Sequence, residues 1–415
     1  MFETLEFRLS RGNSEAIACI AHKSLRICER CRLEPSLTLF LLVEDRRSPK
    51  QSQPANTSSF DFSKQLMPIP IMKIAVLFGG NSSERDVSIA SGAQIAKALR
   101  EVGHQVLAVD TFRGILSDQE QEALLTRGVA PAPPNEHDLQ VIRAKTGSIV
   151  QPSYFMNADV VFLALHGGAG EDGTIQSVFD SAGICYTGSN HIGSVAAMDK
   201  DLAKRLLVAA NVPTPRWLME PVDPESAIRD LGLPLVVKPN KQGSTVGLSV
   251  VKRAEDLDAA IADAYCHDDE VMLEQFIPGR EFTVGILGSR ALAVGEIIPK
   301  CSEIFDYQSK YQAGGAEEIF PADLSSEETC LLQELGLRVH HALKLRDYSR
   351  ADFRMDEAGQ FWCLEANTLP GMTALSLLPK SAAAVGMAFP ALCAEICRLA
   401  LSRHKGRAPA TDDEG

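Results

Sequence analysis

Arg350-Ala-Asp352-Phe-Arg-Met-Asp-Glu-Ala-Gly359-Gln-Phe-Trp-Cys-Leu-Glu365-Ala-Asn367 decides the fold. Polar and apolar residues alternate on both sides of a turn signal, the pattern of a hairpin with one face against a core. A two-residue turn at Ala358-Gly359 makes position 357 face 360. Counting outward sets Asp352 opposite Glu365 and Arg350 opposite Asn367, and a period of two puts all four on one face. Opposed carboxylates repel unless a cation or a shared proton intervenes. The oxygen set of Asp352, Glu365 and Asn367 suits Mg²⁺, which completes its shell with water and phosphate. Arg350 keeps its charge and could stabilise a developing oxyanion or phosphate. Because the register rests on the turn chosen, an exposed hairpin with hydrated charges stays equally open at this point.

Upstream, residues 73–78, a Gly-Gly turn, a helix and residues 104–109 form a strand–helix–strand unit. Ile89, Ala93, Ala96 and Leu99 share one helix face. Such a unit implies a parallel sheet, with a further strand at 160–165. Residues 111–157 read as a variable insertion with short helices. A helix at 199–210 runs into Pro213 and Pro215. Strands follow at 235–238, 247–251, 271–276, 282–287 and 292–298, with helices at 255–264 and 327–343. The first 71 residues read as a separate extension: a disordered leader, a small module, or the product of an upstream start. The last is favoured because Met72-Lys73 opens directly onto a buried-strand run.

The chain has 415 residues, 45% hydrophobic and 23% charged, enough for two to four lobes of a soluble globular protein. A net charge of -13 leaves no basic surplus for a nucleic-acid partner. The ten cysteines are scattered, and Cys185, Cys363, Cys393 and Cys397 sit in apolar runs, which suits free thiols in a reducing cytoplasm. Cys28 and Cys31 form one pair with no partner pair at zinc spacing. No run reaches the roughly 18 apolar residues of a membrane span, and no signal-peptide layout is present.

Two glycine-rich segments could hold anions. Lys238-Pro-Asn-Lys-Gln-Gly243-Ser244-Thr245-Val-Gly247 joins two strands, and its backbone N–H groups and lysine could wrap phosphates. It lacks the GK[ST] helix start of a Walker loop, and a plain hairpin turn is equally open. Gly79-Gly80 before Ser82, Ser83 and Glu84 could be an ordinary helix cap, and His166 a satisfied structural histidine.

Six motifs in order, LFGGNSSERDVS, LHGGAGEDGTIQ, MDK at 198–200, VVKPNKQGSTVG, FDYQSKY and RADFRMDEAGQFWCLEANTLPGMTALSLLP, resemble the D-alanine–D-alanine ligase family of the ATP-grasp superfamily. The resemblance covers residues 72–402. It implies an α/β (α+β) ATP-grasp fold: an N-terminal parallel-sheet lobe at 72–188, then a central lobe at 189–275 and a C-terminal lobe at 276–404 clasping ATP. Residues 405–415 are left as a flexible tail. Lys200 and Lys238 match the family's phosphate lysines, Ser244 and Thr245 belong to its phosphate loop, and Glu274, Ile277 and Glu281 match nucleotide contacts. Asp352, Glu365 and Asn367 match the ligands of Mg²⁺ or Mn²⁺, two ions in all. Glu84 matches the carboxylate that receives the first D-alanine's ammonium, with His166 beside it. Arg350 and the Gly371 N–H match an oxyanion pair, and Ser376 and Leu377 the holders of the second carboxylate. Ser244 and Tyr311 match partners that, with Glu84, close the loop at 302–316 over the site, Lys310 beside them.

The resemblance implies a cytoplasmic, homodimeric enzyme that acts on D-alanine and ATP, with no nucleic-acid or membrane partner, for peptidoglycan precursor synthesis. One D-alanine is activated as an acyl-phosphate and joined to another. Alternatives are a D-alanyl-D-lactate or D-alanyl-D-serine ligase, a ligase of L-amino acids, and a non-catalytic nucleotide-binding regulator. Lys310-Tyr311 speaks for the dipeptide former, Glu84 and Ser376 against L-substrates, and the intact metal and arginine positions against a non-catalyst. The base that deprotonates the second amine has no assignment.

Overall fold

The computed structural model describes residues 70–127, 155–300 and 316–405. The extension at 1–71 (but for 70 and 71), most of the loop at 302–316, with Lys310 and Tyr311, and the Cys28–Cys31 pair lie outside the described residues. So do residues 406–415 of the tail.

Three sheets organise the described chain. The first has the order β3-β2-β1-β4, built from β1 (Lys73–Phe78), β2 (Gln105–Asp110), β3 (Gly114–Ile115) and β4 (Val160–Leu163). β1 pairs parallel with β2 and β4, as the strand–helix–strand pattern requires. Residues 74–78 of β1 and all of β4 are buried, so these strands read as unbroken apolar runs rather than alternating ones. Helix α1 (Arg85–Glu101) lies on this sheet, burying Ile89, Ala93, Ala96 and Leu99. Gly92 allows the close approach: a Cβ there would stand 2.4 Å from the Phe78 ring. Helix α2 (Asp118–Arg127) follows within the region read as an insertion.

The second sheet, β5-β8-β6-β7, comprises β5 (Trp217–Met219), β6 (Leu235–Pro239), β7 (Ser249–Val251) and β8 (Val271–Gln275), all antiparallel. Its order places Lys238 and Glu274 on adjacent strands. The third sheet, β11-β10-β9-β12-β13, comprises β9 (Arg280–Leu287), β10 (Arg290–Pro299), β11 (Ala316–Ile319), β12 (Tyr348–Met355) and β13 (Phe361–Asn367).

The remaining helices are α3 (Thr174–Ala182), α4 (His191–Met198), α5 (Lys200–Ala209), α6 (Pro224–Leu231), α7 (Leu257–Tyr265), α8 (Ser326–Ala342), α9 (Leu377–Ala384) and α10 (Phe389–Lys405). α8 starts at a capping box: the Glu328 N–H donates to Ser325 Oγ at 3.2 Å, and the Ser325 N–H to Glu328 Oε2 at 2.8 Å.

Packing joins elements that are distant in sequence. Ala197, Ala203, Leu207 and Val212 share the core of the third sheet with Phe282, Phe353 and Cys363. The second sheet has its own smaller core around Leu235, Val237 and Leu273. Cys393 and Cys397 of α10 pack with the first sheet's core and Cys185. These thiols and Cys363 are free and buried. Among the described residues no single helix is long and apolar enough to cross a membrane.

His340 of α8 is buried and hydrogen-bonds Ser349 Oγ at 2.7 Å. Burial, then neighbouring His341, depresses its pKa from 6.5 to about 4. The unfolded chain therefore takes up the proton first as pH falls. Stability supplied by neutral His340 is complete above 6.5 and lost progressively toward 4. Between pH 6.5 and 4.5 the loss is about 2–3 kcal/mol. Denaturation curves should show His340→Asn losing correspondingly less over that range.

Candidate active site

The hairpin of β12 and β13 has the predicted pairing at its functional end, reached by a different route. Arg350 pairs with Asn367 and Asp352 with Glu365. The turn, however, is not the two-residue Ala358-Gly359 loop. Asp356 pairs with Gln360 through N–H to O at 3.0 Å, and Gly359 N–H reaches Asp356 O at 3.0 Å, with Gly359 at φ 81°. This is a three-residue loop ending in a left-handed glycine. It shifts the count by one, so Phe353 faces Cys363. A bulge between these two registers absorbs Leu364 and restores the expected pairing. The extra residue also reconciles two demands. Phe361 and Cys363 stay in the core, while Leu364 and Glu365 both line the cleft.

On the cleft face Asp352 is tightly held. Arg350 grips it with Nε at 2.9 Å from Oδ1 and Nη2 at 2.8 Å from Oδ2. Thr283, its partner on β9, donates to Oδ1 at 2.7 Å, and Asn367 Nδ2 donates to Oδ2 at 3.0 Å. Among the described residues no three His, Cys, Asp or Glu side chains gather as a metal site. Two carboxylates and one amide are too few for a self-sufficient cage, but they fit Mg²⁺, which takes few protein ligands and relies on phosphate and water.

The facing wall is basic. Lys200, in the first turn of α5, donates to Gln242 O at 2.5 Å and lies 4.0 Å from Glu365 Oε2. Burial lowers its pKa below the ordinary lysine value against the pull of Glu365. Lys238 on β6 meets Glu274 Oε1 at 2.7 Å. On the other side of Glu274, Lys204 approaches Oε2 at 2.6 Å. Burial alone would raise Glu274, but the two lysines hold it below the usual carboxylate value. Lys204 is 1% exposed, donates to Thr214 Oγ1 at 2.7 Å and Pro215 O at 3.1 Å, and lies over Trp217.

The loop after β6 passes through left-handed backbone at Ser244 (φ 51°) and Thr245 (φ 65°). Consecutive non-glycine residues there cost of order 1 kcal/mol or more each, and such strain concentrates at ligand clamps. Lys200, Lys238, Thr245, Glu274, Ile277, Glu281, Asp352 and Glu365 line one cleft between the second and third sheets. Ile277 O accepts from Arg354 Nη1 at 2.8 Å, and Arg354 also approaches Glu281 Oε2 at 3.5 Å.

A second group of predicted residues adjoins this cleft. Glu84 stands at the N-cap position of α1 without capping it; its carboxylate instead accepts the Ser244 hydroxyl. The turn before it is fixed by Arg85, whose Nη2 meets both Asp110 oxygens at 2.9 Å. Gly79 (φ 100°) must be glycine there, since a Cβ would lie 2.5 Å from Arg85 Nη1.

His166 is buried with both ring nitrogens engaged, Nδ1 with Leu369 O at 2.9 Å and Nε2 with Ser91 Oγ at 3.1 Å. The carbonyl can only accept, so Nδ1 carries the proton and Ser91 donates to Nε2. Burial also lowers the His166 pKa, so His166 braces the site as a neutral ring. Gly371 and Ser376 adjoin: a Cβ on Gly371 would be 2.9 Å from Ser376 Oγ. Ser376 Oγ accepts the Thr373 N–H at 3.1 Å, and Leu377 begins α9.

Sequence reasoning missed Lys204, Thr283, Arg354, Leu364 and Glu171. Arg354 was available from the same alternation as Arg350 and Asp352, and Lys204 from its place one helical turn after Lys200. Thr283 carries no local signal because Asp352 is far away in sequence, and the link from Glu171 to Leu369 is equally distant, although its other oxygen binds nearby Gly167.

Sequence models described as D-ala D-ala ligase N-terminus and C-terminus match residues 73–189 and 212–398. The chain is 40% identical over 332 residues to the D-alanine–D-alanine ligase of Nitratidesulfovibrio vulgaris (strain DP4), covering 80% of this chain and 99% of that protein. The Gluconobacter oxydans (strain 621H) enzyme of the same name is 39% identical, over 80% and 100%. Among solved structures, the D-alanine–D-alanine ligase of Bacillus anthracis complexed with ATP aligns with a TM-score of 0.63 at 30% identity, over 81% and 99% of the two chains. The Coxiella burnetii ligase gives 0.66 at 26%, over 81% and 96%.

Proposed function

The chain belongs to the D-alanine–D-alanine ligase family, and from that we propose that it joins two D-alanines at the expense of ATP through an acyl-phosphate, in the cytoplasm, for peptidoglycan precursors. The observation that carries this reading is the convergence on one cleft of Lys200, Lys238, Asp352 and Glu365, with Arg350 gripping Asp352 beside them.

A carboxylate is a poor electrophile, so the first substrate's carboxylate oxygen attacks the γ-phosphorus of ATP and the bond to ADP breaks. Lys200 and Lys238 offset the repulsion between the two anions, and the Ser244–Thr245 loop offers N–H groups to phosphate oxygens. Asp352, Glu365 and Asn367 would hold Mg²⁺ or Mn²⁺, which supplies charge neutralisation on the phosphates when bound. Glu84 receives the ammonium of the first D-alanine. Ser376 and the first turn of α9 hold the carboxylate of the second. Its amine, after losing a proton, attacks the acyl carbon. Arg350 and the Gly371 N–H stabilise the oxyanion, and phosphate leaves. Lys310 and Tyr311 belong to the loop that shields the acyl-phosphate from water. Two metal ions and a homodimer complete the proposal.

Incubation with ATP, Mg²⁺ and a panel of D- and L-amino acids should yield ADP only with D-alanine, and D-alanyl-D-alanine by mass. Dipeptide from L-alanine alone, or no nucleotide turnover with any amino acid, would overturn the assignment.

A further inference from the structure

Four backbone groups of the segment after β13 are held by side chains from the first lobe. Leu369 N–H donates to Glu171 Oε1 at 3.2 Å, and Leu369 O accepts from His166 at 2.9 Å. Met372 N–H donates to Ser91 Oγ at 3.3 Å and Ala374 N–H to Gln94 Oε1 at 2.8 Å. The segment carrying Gly371 and Ser376 is thus placed by the lobe it faces as well as by the hairpin that bears it. Glu171 is the one carboxylate in this set. Its other oxygen, Oε2, accepts the Gly167 N–H at 2.7 Å. Gly167 is also where Glu84 arrives: a Cβ there would lie 3.0 Å from Glu84 Oε2. Two carboxylates therefore flank one glycine, one reaching the ammonium subsite and the other the oxyanion segment.

We infer that Glu171 is a positioning residue for the ligation: it ties the first amino-acid subsite to the Gly371 segment, and it gives up a proton when an ammonium group arrives beside Glu84. This rests on the ligase function proposed above. In the empty site, burial and then the charge of Glu84 raise Glu171 to about 8, against the Gly167 and Leu369 N–H groups and Arg350. Among the described residues, neutral His166 and Tyr348, whose hydroxyl burial keeps protonated, also lie around it. Glu171 thus carries a proton at pH 7. An ammonium beside Glu84 offsets the Glu84 repulsion, the second of the two effects that hold the proton on Glu171, and so favours its release. The carboxylate so formed accepts the Leu369 N–H more strongly. Arrival of the first substrate thereby tightens the segment bearing Gly371.

The test is D-alanine binding by calorimetry in the presence of a non-hydrolysable ATP analogue and Mg²⁺, in buffers of different ionisation enthalpy. At pH 7 the wild type should release more protons per site than Glu171→Gln, a difference that a purely structural glutamate would not produce. The wild type alone gives a second reading, needed if Glu171→Gln fails to fold. Its release should fall between pH 7 and pH 9, where Glu171 is largely ionised before substrate arrives. Equal proton counts in the two proteins, or an unchanged wild-type count at pH 9, with D-alanine still binding, would overturn the inference and leave the ligase function standing. A wild type that neither binds nor ligates D-alanine overturns the function instead.

Discussion

Arg350→Ala should lower kcat by about 10²–10³-fold, the loss expected when one preorganised oxyanion donor is removed. Arg350 touches Asp352 through two parallel hydrogen bonds and lies on the same strand face, where the acyl and metal roles proposed for the two residues meet. The KM for ATP should move far less than kcat, because the proposed nucleotide contacts are Lys200, Lys238, Glu274 and Glu281, which line the same cleft. Arg350→Lys should recover no more than about tenfold, since an ammonium cannot reproduce the planar two-point grip. Steady-state kinetics with each substrate varied at saturation of the other separates the effects. A kcat within a few-fold of wild type in Arg350→Ala would remove this residue from the chemistry.

Lys204→Met should destabilise the protein by about 3–5 kcal/mol, the usual consequence of removing one partner from a buried charge pair. Lys204 and Glu274 are both almost fully buried, so neither finds water when the other is lost. The thermal midpoint should fall by roughly 10 °C. There is a functional consequence too. Glu274 has two positive partners, so Lys238 is only partly neutralised and still offers charge to the cleft. With Lys204 gone, Lys238 is the one lysine left in contact with Glu274 among the described residues, and KM for ATP should rise. In the double variant Lys204→Met/Glu274→Gln, the combined loss of stability should be smaller than the sum of the single losses, because the two residues are in contact.

The part of this site legible in sequence is the part written in short-range periodicity. Arg350, Asp352, Glu365 and Asn367 could be counted onto one face because a strand alternates every two residues. The count succeeded through two offsetting departures, a three-residue turn and the bulge at Leu364, and an apolar Leu364 beside Cys363 gives no local sign of either. The parallel order around β1 followed from one strand–helix–strand unit. Short elements such as β5, with three residues, and β11, with four, show too little period to be read. Lys204 shares a helix face with Lys200, but its buried pairing becomes visible only when Glu274, far along the chain, is placed against it. Glu171 likewise gains meaning only from Leu369 and Glu84. The placement of helices α4 and α5 in the third sheet's core was equally invisible, since their apolar partners lie beyond residue 280.

Acyl-phosphate formation can be followed by one label. With D-alanine carrying ¹⁸O in its carboxylate, the oxygen that attacks the γ-phosphorus stays with phosphate when the amine displaces it. Mass analysis should find one ¹⁸O in the inorganic phosphate for each D-alanyl-D-alanine formed. Unlabelled phosphate, with all the ¹⁸O kept in the amino acid and dipeptide, would contradict activation of the carboxylate at this cleft.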